Sequence, residues 1–594
     1  MNYFKTATLV LMAIANLGTA VAENPKPPVA VDLKTSVTFK TSNQEIQKLF
    51  DIAVTKARGN LVQFTPTMQV LVEGGGYQNA WVETQPMGGE MFARHNLQVA
   101  MNNQVIFMLG QRKDGRIPGM VIARDSVIKN GWDKNPREAY VWYPEHNLAA
   151  SYEMFQGYCF PEPAWRMYFW AGGKDKEYLK RLYDSLEAHD AYLWRTRDSN
   201  NDGILETWCV WDTGEDGCTR LTRRGAPSRW PFEKPPGAEG TPDPRSPERK
   251  YWFYPIKDGR TPTPDEVLVP FASMDIMSYS YSGRAVLAKI SRELGNGKEG
   301  YWRAQAEVVR RRLIDKLWVE DRHACFDLDR HGRRLDELIH NNLRCMWYGI
   351  FTQKMADDFV KYHLLNPEEF WTPVPLVSIA KNEPLFLNKP RNNWSGQPQG
   401  LTYQRAMGAL ENYGHYAEVT MLGRKLLPVI IRNDYKFTQQ LDPVTGKPGG
   451  KDGYGPIILA ALGYLNRMQG IHLDVEHGRV WWSGIADDGH DFTRTQIWGD
   501  HQFKLECKEG QLRALVDGKE IFTSSVGARI ITDLEGGVLE AVGITPETQQ
   551  IKLKAASREW ALKLEPNQAY RLDPTGAAKP VGYRTAPFSG VHSR

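Results

Sequence analysis

Apolar residues recur every three to four positions along most of the first 470 or so residues, which is the period of an α-helix with one buried face. Ile46, Leu49, Phe50 and Ala53 begin one such segment. Met91 to Met108 forms another, closed by the turn Asp114-Gly115-Arg116-Ile117-Pro118. The same spacing predicts helices over 146–170, 174–194, 271–294, 301–317, 336–351, 354–364, 397–410, 413–431 and 454–468. That makes about eleven helices joined by loops, with no strand–helix alternation; six helical hairpins closed in a ring would use about twelve. The expected fold is therefore mainly α, an (α/α)6 barrel over residues 43–469.

Near Gly470 the period changes to two. Ile471-His472-Leu473-Asp474-Val475, Phe503 to Cys507, Gln511 to Val516, Ile551 to Lys554 and Trp560 to Leu564 alternate as half-buried strands do, and Val516-Asp517-Gly518-Lys519 supplies a hairpin turn. Residues 470–594 read as a C-terminal β-sandwich domain, and 23–42 as an N-terminal extension. The stretch from Arg223 to Arg260, rich in Pro, Arg and Gly and without periodicity, reads as a long loop.

The start of the chain changes the compartment. Lys5, the apolar run from Ala7 to Ala20 and the small-x-small pattern Ala20-Val21-Ala22 form a signal peptide over residues 1–22, so the mature chain begins at Glu23 and is secreted or periplasmic. No later segment approaches the roughly 20 apolar residues of a membrane span, so no membrane insertion is expected. A net charge of +4 gives no reason to expect nucleic acid as a partner. Nineteen Trp and 25 Tyr, recurring in Gly/Pro-rich loops, offer flat faces for sugar rings and point to an oligosaccharide or glycoconjugate substrate. Six Cys are too few for a disulfide framework; Cys209 and Cys218 could bridge locally or remain buried thiols.

Three constellations carry chemistry. Asp198, Asn200 and Asp202, with Gly203 in sixth place, match the start of a calcium loop, but Cys209 stands where a bidentate Glu is expected. A structural calcium would need a ligand from elsewhere, and a plain Asx-rich turn is the alternative. Next, Trp211-Asp212-Thr213-Gly214-Glu215-Asp216-Gly217-Cys218-Thr219-Arg220 clusters three carboxylates around glycine, and a like charge raises the pKa of a carboxyl that must protonate a leaving oxygen. Last come loops at helix starts rich in aromatics and amides: Trp371, Trp394, Gln397, Gln439 and Tyr454, to which Trp81, Trp211 and Arg220 add candidate sugar contacts. No cofactor is required for chemistry of this type.

The order of these pieces resembles the processing α-glucosidases (mannosyl-oligosaccharide glucosidases), their bacterial relatives and the trehalases. Asp212 to Cys218 is similar to that family's E-S-G-x-D-x-S, which places the general acid on Asp216; Trp394-Ser395-Gly396-Gln397 is similar to its W-x-G-x; and Gln439 to Gly446 resembles its E-x-Y-x-P-x-T-G. The resemblance covers roughly residues 60–470. It implies a six-hairpin glycosidase, an inverting mechanism and, in some members, a calcium ion. One departure matters: the family's catalytic-base Glu is Gln439 here, and its Tyr is Leu441. Substitute bases rank Glu83, then Glu90, then Asp442, with Glu411 a structural residue of a helical hairpin.

The function expected is an exo-acting, inverting glycoside hydrolase. A polysaccharide lyase or unsaturated-uronide hydrolase would instead use Tyr143 or His146 as base with Arg220, Arg223 and Arg224 as neutralisers. A carbohydrate-binding pseudoenzyme is the reading that Gln439 favours.

Overall fold

A computed structural model describes residues 27–132, 140–226, 228, 271–391, 393–486, 489–573 and 575–581. The signal segment, the start at Glu23 and most of 223–260 lie outside the described residues.

Fourteen α-helices occur among the described residues: α1 (Gln44–Gly59), α2 (Gln85–Phe92), α3 (Leu97–Leu109), α4 (Arg124–Lys129), α5 (Pro161–Trp170), α6 (Lys176–Thr196), α7 (Thr219–Thr222), α8 (Met274–Leu294), α9 (Glu299–Leu317), α10 (Asn341–Tyr348), α11 (Gln353–Phe359), α12 (Gly400–Glu411), α13 (Tyr416–Arg432) and α14 (Gly455–Met468). Six of them pack in a closed cycle: α2 on α5, α5 on α8, α8 on α10, α10 on α12, α12 on α14, and α14 back on α2. Around these lie α3 on α2, α6 and α9 on α8, α13 on α14, and α1 on α14.

Burial follows sequence pattern. Every residue of α14 and α10 is buried, α14 as a mostly apolar helix and α10 with Asn341, Asn342 and Arg344 buried among its apolar residues, whereas α1 buries only the stripe Leu49, Phe50, Ala53 and Ala57. Because each inner helix is followed by an outer return, the inner six run the same way and their N-termini share one end.

Several expected boundaries move, each for a local reason. The segment 91–108 is two helices, broken where the Asn96 side chain accepts the Val99 N–H at 3.1 Å and caps α3. Helix begins at Pro161 and not at His146, because Leu148–Ser151 is a strand. That strand belongs to a four-stranded sheet, ordered Asn79–Trp81, Met120–Ala123, Leu148–Ser151, Val141–Tyr143, which helical periodicity hid.

The β-rich region has two antiparallel sheets. One runs Thr35–Thr41, Phe492–Trp498, His501–Lys508, Gln511–Val516, Lys519–Ser525, Gln549–Ala555, Arg558–Leu564; the other runs Gln469–Asp474, Arg479–Gly484, Ala528–Asp533, Val538–Gly543, Ala569–Leu572, Ala578–Val581. Trp482 of the second sheet meets Phe503 and Phe522 of the first, with ring centroids 6.1 and 6.0 Å apart. The hairpin falls at Asp517-Gly518, whose φ values of +50° and +79° suit a two-residue loop. Residues 35–41 are not a separate extension: they form the edge strand of the first sheet, with Thr35 opposite Trp498 and Thr41 opposite Phe492.

Candidate active site

The candidate residues gather where the inner helices begin. Glu83 precedes α2, Gln156 and Gly157 precede α5, His340 and Asn341 open α10, Gln397 precedes α12, and Tyr454 precedes α14. Each helix N-terminus presents unpaired N–H groups and a partial positive charge of about half a unit, which favours carboxylates nearby.

The loop bearing Asp216 is held by buried ion pairs. Asp212 is fully buried; it pairs with Arg197 at 2.8 Å and accepts the Phe155 and Trp208 N–H groups, both at 3.0 Å. Glu215, equally buried, accepts from Arg220 at 3.1 Å and Asn341 at 2.9 Å, while Arg220 also reaches Asp327 at 2.7 Å. Burial alone would raise the Glu215 carboxyl, but the Arg220 and Arg344 charges outweigh it and hold it below the usual range. Asp212 and Glu215 therefore do not supply the like charge expected for Asp216; their charge is spent on arginines. Asp216 itself is half-buried, and its carbonyl accepts the Trp394 N–H at 3.0 Å.

The like charges come from the segment before α2. Glu83 is 5% exposed; its Oε1 accepts from Gln156 at 3.1 Å, and its Oε2 has no hydrogen-bond partner among the described residues. Burial pushes its carboxyl up to about 7, although Arg405, Gln156 and Arg344 pull the other way. Oε2 lies directly against Gly214, where an added Cβ would stand 2.1 Å from it; with φ at +72°, glycine alone lets the acid loop come this close.

Glu73, which the sequence reading missed, is 3% exposed and accepts the Tyr454 hydroxyl at 2.9 Å. Burial raises its carboxyl well above the usual range, and the charges of Glu83 and Asp216 add to the shift. The signal was Glu73-Gly74-Gly75-Gly76-Tyr77: all three glycines have positive φ, and a Cβ on Gly75 would sit 3.0 Å from Tyr454. Tyr77, also missed, donates its hydroxyl to Gln439 Oε1 at 3.2 Å and packs edge-on against Tyr454.

Trp81, Trp211, Gln439 and Tyr454 thus belong to this region, with the half-buried Trp81 and Trp211 packed on one cluster around Met154 and Cys209. Others act differently. Trp394 is 1% exposed, stacked on His340 with centroids 5.4 Å apart, and braces the acid loop together with Asn393 and Ser395, which donate to the Gly217 carbonyl at 3.0 and 3.3 Å. Gln397 is buried and donates to Asn388 at 2.8 Å. Arg220 is paired with Glu215 and Asp327, and Trp371 carries the Lys425 ammonium 5.3 Å over its ring, on the side of α13.

Two proposed bases fall away. Glu90 sits in the last turn of α2, remote from Glu83, and accepts from Trp170 at 3.1 Å. Asp442 caps its own turn by accepting the Val444 and Thr445 N–H groups at 3.0 and 2.8 Å, and accepts from Asn388 at 2.8 Å. Glu411 is structural, paired with Arg467 and Arg529. The Tyr143 hydroxyl is engaged with Tyr152 at 2.6 Å, His146 lies 3.9 Å from Glu145, and Arg224 pairs with Glu337 at 2.8 Å.

The calcium-like loop closes on itself. Asp198 accepts the Gly203 N–H, Asn200 the Asp202 N–H and Asp202 the Ile204 N–H, at 3.2, 3.2 and 2.9 Å. These are the bonds of an Asx-rich turn, and among the described residues no group of three or more His, Cys, Asp or Glu is placed to hold a metal ion. Cys209 and Cys218 are both free buried thiols.

The family model for the mannosylglycerate hydrolase MGH1-like glycoside hydrolase domain matches residues 90–455, more than half of the chain. The chain belongs to this family of glycoside hydrolases. Among solved structures similar to it is the GH63 mannosylglycerate hydrolase from Thermus thermophilus in complex with glucose, at 18% identity and a TM-score of 0.52, covering 70% of this chain and 99% of that one. A sialidase structure aligns with a TM-score of 0.56 at 13% identity, over 84% of this chain and 41% of that one. At these identities the likeness is one of fold. A probable trehalase from Eremothecium gossypii is 26% identical over 117 residues, a span of 19% of this chain and 16% of that protein. Membership bears out the resemblance read from the Asp216, Trp394 and Gln439 segments, and this glycoside hydrolase carries no described helix long and apolar enough to cross a membrane.

Proposed function

We propose that the chain is a secreted or periplasmic, exo-acting, inverting glycoside hydrolase in which Asp216 is the general acid and Glu83 the general base. In this reading the helical ring is an (α/α)6 barrel and the two sheets are a β-sandwich beside it. The observation that carries the reading is Glu83, a buried carboxylate with one oxygen unused by the described residues, seated against the loop that bears Asp216. A carboxyl near pH 7 can take a proton from water and release it again at neutral pH. Two carboxyl groups and one water complete the inverting reaction, and no cofactor is needed. Trp81 and Trp211 supply the stacking faces. The substrate is an α-linked glucoside or mannoside, and mannosylglycerate joins the panel because of the family's description.

The test is sugar release followed by proton NMR, for the mature protein and for Asp216→Asn and Glu83→Gln. Release of the inverted anomer, abolished in both variants, supports the assignment. As base, Glu83 must be ionised, so kcat/KM is expected to rise with pH through about 7; a fall through the same range would make Glu83 the acid.

One observation favours a second reading. Gln439 stands at the resemblance's base position and is held there by Tyr77. A sugar-binding protein that has lost its base would bind glycans intact, and Gln439→Glu would create activity absent from the parent. In the reading proposed above, that substitution adds a fourth carboxyl to a crowded site and yields no gain.

A further inference from the structure

The opposite end of the helical ring, where it meets the two sheets, gathers buried guanidinium groups. Arg94 follows α2, Arg467 lies in the last turn of α14, and Arg494 and Arg529 come from strands 492–498 and 528–533; their exposures are 7%, 9%, 1% and 1%. Glu411 is the carboxylate within pairing distance, and it serves two of them, Arg467 at 2.9 Å and Arg529 at 3.3 Å.

Arg94 and Arg494 are left over. The Arg94 guanidinium reaches the His472 ring, at 3.4 Å, and its buried Nε has no acceptor among the described residues. Arg494 lies over the rings of Phe39 and Phe50, at 5.3 and 5.1 Å, and its buried Nη1 has no acceptor among them either. Ring contacts attract the face of a guanidinium but leave its five in-plane N–H groups unanswered. The two arginines face the same seam. Arg494 and Gln496 point to one side of their strand, and the Gln496 amide donates to the Arg94 carbonyl at 3.4 Å. Burial and a neighbouring cation depress both, Arg94 to about 10 beside Arg467 and Arg494 to about 9 beside Arg94. Beyond Glu90 and Glu411, the charged neighbours that reach either group are further arginines.

We propose that Arg94 and Arg494 together bind a small inorganic anion of chloride size, which links the helical ring to the sheet. A buried cation without a counter-charge is costly, a second one within its electrostatic reach more so, and an anion held by the unanswered N–H groups of both supplies charge and acceptor at once. The aromatic walls of Phe39 and Phe50 favour a weakly hydrated monatomic ion over a larger oxyanion. This site is independent of the glycosidase reading and of Asp216.

The test is thermal unfolding of the full chain in sodium chloride against sodium gluconate at constant ionic strength, with Arg494→Met beside it. A site present only in the folded state raises Tm by about 1 °C for each tenfold increase in chloride above its dissociation constant. That rise is expected in the parent and lost in Arg494→Met. Equal Tm in the two salts, or the same rise in the variant, overturns the proposal. Should the variant not fold, crystals of the parent soaked in bromide decide it: an anomalous peak between Arg94 and Arg494 is expected, and its absence overturns the site.

Discussion

The two ends of the helical ring are electrostatic opposites. Where the inner helices begin, Glu73 lies within electrostatic reach of both Glu83 and Asp216, and Glu73 and Glu83 are buried with raised carboxyls. Where those helices end, Arg467 and Arg529 pair with Glu411, Arg94 lies within its electrostatic reach, and Arg494 lies within reach of Arg94. Parallel helices explain the sorting: their N-termini carry partial positive charge and tolerate carboxylates, and their C-termini carry partial negative charge and tolerate guanidiniums. The scaffold therefore lowers the cost of an acidic site at one mouth only. The ends also differ in purpose. At the beginning end one Glu83 oxygen has no hydrogen-bond partner among the described residues, whereas Glu411 at the other end is locked into ion pairs.

That contrast can be broken by substitution. Asp216→Asn is expected to lower kcat by about 10²–10⁴-fold, the usual worth of a proton donor, while Tm is unchanged; an unaffected rate would move the acid elsewhere. Glu411→Ala at the other end should do the reverse, costing about 3–5 kcal/mol in denaturant unfolding because two buried guanidiniums lose their partner, with kcat of the folded fraction preserved.

Glu83→Gln sharpens the comparison through pH. The folded carboxyl, at about 7, lies above its ordinary 4.5, so the native state holds its proton longer than the unfolded chain does. Stability contributed by the protonated form is full below pH 4.5, falls as pH rises to about 7, and stays lost above it. The variant should thus be more stable than the parent at pH 8, by up to about 3 kcal/mol, and equal to it near pH 4. Equal stability at both pH values would mean that Glu83 is better solvated than its burial indicates. The smallest effect is expected at Asn96→Ala, which removes the α3 cap and costs about 1 kcal/mol by thermal unfolding, with no change in rate.

Helices were legible in the sequence wherever burial matched a period. The mostly apolar α14 and the striped α1 were both found, while Leu148–Ser151 and Val141–Tyr143, short strands flanked by aromatics, fell inside or beside a stretch read as helix. The acid loop was legible as a motif, but not the fate of its charges: Arg197 and Asp327, which occupy Asp212 and Arg220, lie 15 residues before and 107 residues after them. Trp394 had the composition of a sugar platform and proved to be a brace, because an indole's role depends on which face is covered. Glu73 was hidden by its neighbours, since three consecutive glycines read as a loose loop when in fact they allow a close approach to Tyr454.

The edge strand Thr35–Thr41 bears on how the chain folds. Its partner, Phe492–Trp498, is made some 450 residues later, as the Thr41–Phe492 pairing shows. During synthesis at about 5–20 residues per second, the early strand waits tens of seconds with its backbone donors and acceptors unmatched. An unpaired edge of that kind invites pairing with other chains, and the alternating Lys34, Ser36, Thr38 and Lys40 along it would make such an encounter less adhesive. Closing the longest loop in the molecule is then a late step, and chain released before residue 498 is expected to be the form most prone to aggregate.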